Sequence, residues 1–276
     1  MYKKFVGKVI VVLLAGGTVL NAATTLESSN GWGLPGYSGQ ISVIYATTDD
    51  WTAAFQCMLC FEPEEIQVDS ISYRGNGQIQ TVFDTAWGGV GIQYFEPYVD
   101  NDLGILQAVA LYSLTENNYL APMENTPILL VYWSVSEDAV IPTISPLIIT
   151  EDCAGYHFQA VFSDTLGSDI NVEEMIPGNF YVLEPGDANA DGNVSLVDMV
   201  YTSNYLFATG APPSPCGDNN ADCQVNYVDL IVMSYYLFQS GTPPAEPACP
   251  WKKWPPSADI ILKSIKLDKH SPTGYK

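Results

Sequence analysis

The stretch that decides the organisation of this chain is Asp187-Ala-Asn189-Ala-Asp191-Gly192-Asn193-Val-Ser195-Leu-Val-Asp198. A near-copy follows 31 residues later, as Asp218-Asn-Asn220-Ala-Asp222-Cys223-Gln224-Val-Asn226-Tyr-Val-Asp229. Each copy places oxygen-bearing side chains at places 1, 3, 5, 9 and 12 of a twelve-residue loop. Ca²⁺ takes about 6–8 oxygen ligands, and a tight loop supplies them at alternate places. The spacing therefore predicts two calcium loops.

The repeat continues beyond the two loops. Tyr205-Leu206-Phe207 returns as Tyr236-Leu237-Phe238, and the set Gly210, Pro212, Pro213 returns as Gly241, Pro243, Pro244. A fixed period of loop, apolar helix and Gly/Pro stop indicates a duplicated supersecondary unit. We expect the two helices over residues 195–208 and 226–239.

Paired calcium loops with Asp rather than Glu at place 12, each followed by one amphipathic helix, resemble a type I dockerin. The resemblance covers about residues 186–245. It implies a small all-α domain that folds on two calcium ions and docks to a cohesin-like domain. It further implies attachment of a secreted protein to a scaffold or a cell surface.

The loop spacing also predicts which residues bind each ion. In loop one these are Asp187, Asn189, Asp191, Asn193 (through its carbonyl), Ser195 and Asp198. In loop two they are Asp218, Asn220, Asp222, Gln224 (through its carbonyl), Asn226 and Asp229. Gly192 stands at place 6, where a positive φ costs least without a Cβ. Cys223 replaces it in loop two, so we expect weaker binding there or a disulfide that holds the turn. An Asx-rich turn without an ion is the alternative for both loops.

The resemblance also assigns positions that contact the cohesin. They lie just before the last calcium ligand and about one and a half turns later, on Leu196, Val197, Ser203, Asn204, Tyr227, Val228, Ser234 and Tyr235. The family often has hydroxyl pairs at the first of these places, whereas this chain has apolar residues there. The substitution favours a more apolar interface and leaves the partner type open. We expect the other apolar residues of the helices to pack the helices together.

Charge excludes two classes of partner. The chain has 276 residues, enough for two domains, and a net charge of −21. Between Ala23 and Trp251 the only Lys or Arg is Arg74. Nucleic acids and anionic lipid surfaces are recognised through Lys/Arg patches, so we expect neither as a partner.

The two ends of the chain differ from its acidic middle. Residues 1–23 are predicted to be a secretory signal, with three lysines, an apolar run over 9–14 and small residues at Ala22 and Ala23. The run is short for a membrane span, with an uncleaved anchor as the alternative. We therefore expect a secreted or cell-surface protein. Residues 246–276 form a basic, Pro- and Trp-containing tail that we expect to be flexible, with a sorting signal or a contact to the acidic body as alternatives.

Six cysteines in an exported protein predict disulfides. Six cysteines allow 15 complete pairings, and the sequence does not choose among them. The pair Cys57 and Cys60 has CxxC spacing, but it lies in a strand-like run rather than at a helix start. We expect no redox role for it.

Residues 24–184 are predicted to form an all-β sandwich. Short alternating or β-branched runs are separated by turn residues, at 40–46, 51–61, 66–73, 78–83, 90–95, 105–111, 128–135, 147–149, 156–162 and 179–183. So many short strands with little helical periodicity favour a sandwich. Their order, with "GQISVIYATTDDWTAAFQCMLCFEPEEI" followed by "ILLVYWSVS", resembles cohesin-like or carbohydrate-binding-type sandwiches.

No catalytic constellation is evident, so we predict a non-enzyme. The acidic groups at 62–65, 49–50 and 100–102 are typical of solvated turns, with a structural calcium site as the alternative for 49–50 and 100–102. His157 is typical of a core or edge position. Six aromatic residues could form a sugar-stacking platform, although strand aromatics are usually core: Trp32, Trp51, Trp87, Trp133, Tyr94 and Tyr98. The main hypothesis is a non-catalytic protein displayed through its dockerin-like domain. The alternative is a carbohydrate-binding or enzyme-associated component of a polysaccharide-degrading assembly.

Overall fold

The computed structural model describes residues 23–89, 91–112 and 118–246. The predicted signal segment, apart from its last residue, and the predicted basic tail after residue 246 lie outside the described residues. Within those residues the chain is mostly β-structure up to residue 182 and helical after residue 195.

The strands are, in chain order, β1 (Thr25–Ser28), β2 (Gly31–Gly33), β3 (Ser38–Thr48), β4 (Thr52–Cys60), β5 (Ile66–Ser72), β6 (Tyr94–Asp100), β7 (Ile105–Leu111), β8 (Met123–Val135), β9 (Thr143–Ile149), β10 (Asp152–Cys153), β11 (Tyr156–His157), β12 (Val161–Asp164), β13 (Asp169–Asn171), β14 (Glu174–Ile176) and β15 (Gly178–Val182). The α-helices are α1 (Val82–Thr85), α2 (Leu196–Phe207) and α3 (Tyr227–Gln239). Two 3₁₀ turns lie at Ala86–Gly89 and Pro215–Gly217.

The strands form two sheets that pack face to face. One sheet has the order β14-β1-β3-β8-β5, and β3 pairs antiparallel with β8 along most of its length. The other follows β13-β12-β4-β9-β15-β2, with β7 on β4 and β6 on β7. The β10–β11 hairpin stands apart. The prediction of a β-sandwich is confirmed.

Apolar side chains at alternate positions of the strands form the core between the two sheets. In β4, Phe55, Cys57 and Leu59 are buried in one apolar cluster, as the alternating pattern predicts. Trp133 of β8 lies in the same cluster, and its indole N–H donates to Ser42 Oγ at 2.8 Å. Because its indole N–H is hydrogen-bonded, this large aromatic side chain can be buried at the centre of the fold.

Two predictions about the sandwich are wrong. Residues 78–83 do not form a strand, because Asp84 accepts the N–H groups of Gly75 and Thr81 and starts α1 with a capping box. Trp51, predicted on the buried face of its strand, is 55% exposed because β4 begins only at the next residue. Arg74 holds the same region by donating to two carbonyl oxygens, Phe83 O at 3.0 Å and Gly89 O at 2.8 Å.

The five described cysteines fall into two groups. Cys60 and Cys153 form a disulfide, and Cys223 is also disulfide-bonded. Cys57 and Cys216 are free and buried. Cys57 and Cys60 therefore share no bond despite their CxxC spacing.

The two C-terminal helices lie where the repeat predicts them, and they pack against each other. This helical part also contacts the sandwich. Trp32 of β2, Leu183 and Cys216 form a small buried cluster, and Gly192 lies so close to Pro142 that a Cβ there would be 2.6 Å from Pro142 Cδ. Among the described residues, none of the helices is long and apolar enough to cross a membrane.

Candidate functional site

The first loop closes around the carboxylate of Asp187 at place 1. Its Oδ1 accepts the N–H of Asp191 at 3.1 Å, and its Oδ2 accepts the N–H of Gly192 at 2.9 Å. The second loop repeats both bonds at 3.1 and 2.9 Å among the equivalent residues Asp218, Asp222 and Cys223. The repeat in sequence is thus a repeat in hydrogen-bond geometry.

The carboxylate at place 12 closes each loop from the other side. Asp198 accepts the N–H of Asn189 at 3.1 Å and the N–H of Ser195 at 2.8 Å. In the second loop the corresponding distances are 3.3 and 2.8 Å, among Asp229, Asn220 and Asn226. The backbone at places 3 and 9 is therefore held to the place-12 carboxylate in both loops.

The carboxylate at place 5 organises the middle of each loop. Asp191 accepts the N–H of Asn193 and the side-chain amide of Asn189, both at 2.9 Å. The same two distances recur at the equivalent residues Asp222, Gln224 and Asn220. The N–H of the place-7 residue is bonded to the place-5 carboxylate. The backbone carbonyl of place 7 therefore lies in the same part of the loop as that carboxylate.

Four of these carboxylates are buried, and no cationic side chain of the described residues lies beside them. Asp187, Asp198, Asp218 and Asp229 are each 0% exposed. The pKa of Asp187 and of Asp218 is raised to about 6, mainly by burial and also by the neighbouring place-12 carboxylate. The structure describes one Arg or Lys, Arg74, and it bonds carbonyl groups in the sandwich. Buried carboxylates of this kind are stabilised by a compensating cation, by hydrogen bonds or by protonation.

The donor set suits a hard cation that takes mixed oxygen ligands. The described residues contain no group of three or more His, Cys, Asp or Glu side chains arranged to hold a metal ion by themselves. Each loop adds Asn side-chain oxygens and backbone carbonyls to its Asp residues, and carboxylate, amide and carbonyl oxygens are the ligands that Ca²⁺ takes. The absence of a buried thiol or imidazole among the predicted ligands disfavours zinc.

The turn at place 6 has the backbone that was predicted. Gly192 has φ +84°, and Cys223 has φ +68° in the left-handed region. A residue with a Cβ adopts this conformation at a cost of about 1–2 kcal/mol. Cys223 is disulfide-bonded, as the second of the two expectations for this position requires.

Each loop leads directly into a capped helix. Ser195 accepts the N–H of Val197 at 3.1 Å, and Asn226 accepts the N–H of Val228 at 2.8 Å. The place-12 Asp lies in the first turn and completes a capping box. An ion held by this carboxylate would thereby fix the helix start.

The two helices expose the same apolar positions. The exposed places follow i, i+4, i+8 and i+11, which lie along one helix face: Leu196, Val200, Asn204 and Phe207 on α2, with Tyr227, Ile231, Tyr235 and Phe238 on α3. The seven apolar members are 50–72% exposed. The opposite positions, Thr202 and Met233, are buried.

The residues predicted to contact a partner lie at the surface, together with other apolar residues of the two helices. All eight of them are exposed or half-buried. Val200 and Ile231, which were expected to pack the helices together, are exposed instead, and so are Phe207 and Phe238. In each helix the exposed residues follow the first helical residue at successive intervals of four, four and three positions. This periodicity could have predicted their exposure from the sequence.

Comparisons with known proteins found structural similarity but no family. No protein-family model matches the chain, and no curated protein matches it. The fold is similar to that of cohesins. The sixth cohesin of scaffoldin B from Acetivibrio cellulolyticus, solved in complex with a mutant Cel5 dockerin, is 13% identical with a TM-score of 0.44, over 58% of this chain and 99% of that chain.

Two further solved structures show a similarity of the same size. The Coh-OlpA-Doc918 complex, a type I cohesin–dockerin complex from Clostridium thermocellum, is 14% identical with a TM-score of 0.43, over 59% of this chain and 100% of that chain. A non-cellulosomal cohesin from Archaeoglobus fulgidus is 12% identical with a TM-score of 0.41, over 59% and 93%. Similarities this low assign neither a family nor a partner to this chain.

The aromatic residues considered for sugar stacking do not form one platform. Trp32 and Trp133 are buried, so the interpretation of these two as sugar-contacting residues is wrong. Their indole N–H groups are bonded to Leu183 O and Ser42 Oγ, which anchors both rings inside the fold. The remaining four divide into two places: Tyr94 and Tyr98 on β6, and Trp51 and Trp87 around a groove.

His157 is not a core residue. It is exposed on the β10–β11 hairpin, where its Nδ1 lies 2.9 Å from Asp152 Oδ1. An exposed pair of this kind contributes little to stability.

Proposed function

We propose that this chain is a non-catalytic protein that is displayed on a protein partner through a calcium-dependent, dockerin-like domain. The observation that carries the proposal is the pair of matching carboxylate networks. Four buried Asp carboxylates occur in two copies of one hydrogen-bond pattern, and no cationic side chain of the described residues lies beside them. Chance turns would not repeat both the pattern and the burial.

In this proposal each loop holds one calcium ion. The ligands of loop one are Asp187, Asn189, Asp191, Asn193, Ser195 and Asp198, and those of loop two are Asp218, Asn220, Asp222, Gln224, Asn226 and Asp229. Calcium would supply positive charge to carboxylates that have no Lys or Arg of the described residues beside them, so its binding would stabilise the folded domain. Ser195 and Asn226 already cap the helices, which favours a water-mediated role at place 9.

The exposed helix faces are the proposed docking surface. Exposed apolar residues in this number are unusual on a part of the chain this small. Their repetition on α2 and α3 supports binding to a cohesin-type domain through either helix, with an apolar rather than hydroxyl-rich contact. The sandwich is then the portion that the partner displays.

We infer that the protein acts outside the cell. The predicted signal at residues 1–23 supports export, and the Cys60–Cys153 disulfide supports an oxidising compartment. Calcium is abundant there, which suits loops that require it.

The test is calcium-dependent docking by the full chain. Calorimetry with parallel circular dichroism should show two calcium-binding events and a gain of helix. Immobilised cohesin domains should retain the protein in calcium and release it in chelator. The double change V200D and I231D should abolish retention, whereas I148D, the same change at an exposed position of β9, should not. Retention that survives both chelator and the double change would contradict the proposal, as would a chain that binds no calcium.

A further inference from the structure

A groove of about 380 Å³ lies on the sandwich, away from the two loops. Three separate segments meet there: the residue before β4, the turn that contains α1, and the segment leading into β8. The lining residues are Trp51, Val82, Thr85, Ala86, Trp87, Tyr119, Leu120, Ala121, Pro122, Met123 and Thr126. A volume above about 300 Å³ with aromatic walls is in the range of ligand sites.

Trp51 forms one wall and is held there by backbone bonds of its neighbour. Thr52 donates its N–H to Leu120 O at 3.0 Å, and Leu120 donates its N–H to Thr52 O at 2.8 Å. This bridge places Trp51 beside the segment that contains Tyr119. With 55% of the side chain exposed, Trp51 is not required by the core, yet its backbone is firmly positioned.

Trp87 forms a second wall in a strained conformation. Its φ and ψ of 49° and 37° are left-handed, which is rare for a large side chain. Its indole N–H donates to Tyr119 O at 3.2 Å, and its ring packs at 5.6 Å from the ring of Tyr112. Strain of this kind persists where surrounding structure enforces it, and it concentrates at ligand sites.

Among the described residues, the lining has no charged side chain, although the chain carries a net charge of −21. An anionic ligand would be repelled by the acidic protein, and a cationic one would find no carboxylate in the groove. Two indole rings offer flat apolar surface, while Thr85, Thr126 and backbone groups can exchange hydrogen bonds. A sugar ring matches this combination, because its C–H face is apolar and its hydroxyl groups project from the edge.

We propose that this groove binds a neutral oligosaccharide, with Trp51 and Trp87 contacting the sugar rings. The inference does not depend on the calcium loops. Its ligand class follows from the uncharged lining and the paired indole rings.

The test uses the full chain in calcium and a panel of soluble neutral oligosaccharides of glucose, xylose and mannose, each about six sugars long. Calorimetry and the change in tryptophan fluorescence report binding. W51A should weaken binding by about tenfold or more, as expected when an aromatic anchor is truncated. The matched control is Y156A, which removes a similarly exposed aromatic residue from the β10–β11 hairpin, outside the groove.

The outcomes separate this site from the other surfaces. Binding that is lost in W51A, kept in Y156A and accompanied by unchanged calcium binding supports the proposal. No binding to any oligosaccharide of the panel overturns it, and so does an equal loss in both variants. Binding of a proline-rich peptide in place of the sugars would also overturn it and would assign the groove to an extended chain.

Discussion

Trp32 of β2 donates its indole N–H to the carbonyl oxygen of Leu183 at 3.1 Å. The bond joins the beginning of the sandwich to the segment that leads into the first loop. The same ring lies in a buried cluster with Cys216, just before the second loop. One side chain therefore contacts the sandwich and the helical part at once, and their relative position is built into the fold.

Replacing Trp32 by Phe should destabilise the protein. The change leaves the Leu183 carbonyl buried without its donor, and an unsatisfied buried group costs about 1–3 kcal/mol. Urea unfolding in calcium measures the loss. The control is W51F, an exposed position where a change within about 0.5 kcal/mol is expected. Equal effects of the two changes would show that the hydrogen bond to Leu183 does not contribute specifically to the free energy of unfolding.

Calcium affinity should fall as the pH is lowered from 7.5 to 5. In the metal-free protein the pKa values of Asp187 and Asp218 are raised to about 6 from 3.8. Protons therefore compete with the ion below about pH 6, and each site should weaken about tenfold for one unit below its pKa. Calorimetry at the two pH values measures this. An affinity that does not change would show that these carboxylates are not ligands.

The metal-free protein should show the opposite dependence in its stability. A folded-state pKa raised above the unfolded value means that the folded state binds protons more tightly. The stabilising contribution is therefore complete below about pH 4 and is lost as the pH rises through about 6. Thermal unfolding in chelator should accordingly give a higher midpoint for the helical part at pH 5 than at pH 7.5. A higher midpoint at pH 7.5 would show that the folded state does not hold protons on these carboxylates more tightly than the unfolded chain.

The disulfide at Cys223 should support calcium binding in loop two. Cys223 is held at φ +68°, a conformation that costs about 1–2 kcal/mol for a residue with a Cβ. A reductant should weaken calcium binding at the second site. Calcium binding at the first site, which has Gly192 at place 6, should stay unchanged. The variant C223G should bind equally well with and without reductant. If both sites weaken together in reductant, the effect belongs to the other disulfide or to the whole fold.

The Cys60–Cys153 disulfide should stabilise the sandwich. The two residues are 93 positions apart, and closing a loop of this length restricts the unfolded chain. The double variant C60S/C153S should lose about 2–5 kcal/mol in urea unfolding. Its calcium binding should stay intact, because neither residue contacts the loops. A variant as stable as the parent would show that the bond contributes little.

Local patterns predicted the two C-terminal helices well, because the start of a helix depends on neighbouring residues. The spacing of Asp187, Asp191 and Asp198 determines how one loop closes, and the repeat determines the second loop. The capping residues Ser195 and Asn226 are equally local. The alternation of Phe55, Cys57 and Leu59 likewise predicted a buried strand face.

The exposure of individual aromatic residues and the formation of the groove depend on residues far apart in the sequence. Periodicity does not encode such contacts. Trp51 and Trp133 have the same side chain in similar strand-like surroundings, yet one is exposed and the other is buried. The difference arises because Trp51 precedes its strand by one residue, while Trp133 faces the second sheet. The groove likewise joins Trp87 and Tyr119, which meet only when the sheets are assembled. No pattern in the sequence pairs them.

The position of Arg74 has a consequence for crowding. Its guanidinium group donates hydrogen bonds to the carbonyls of Phe83 and Gly89. The one Arg or Lys of the described residues is therefore used to hold neighbouring backbone segments of the sandwich together. The acidic surface around it has no neighbouring lysine or arginine within those residues to offset its charge. Copies held side by side on one scaffold should therefore repel each other over about 10 Å at 0.1 M salt. Closely spaced attachment points would then fill more completely as ionic strength rises.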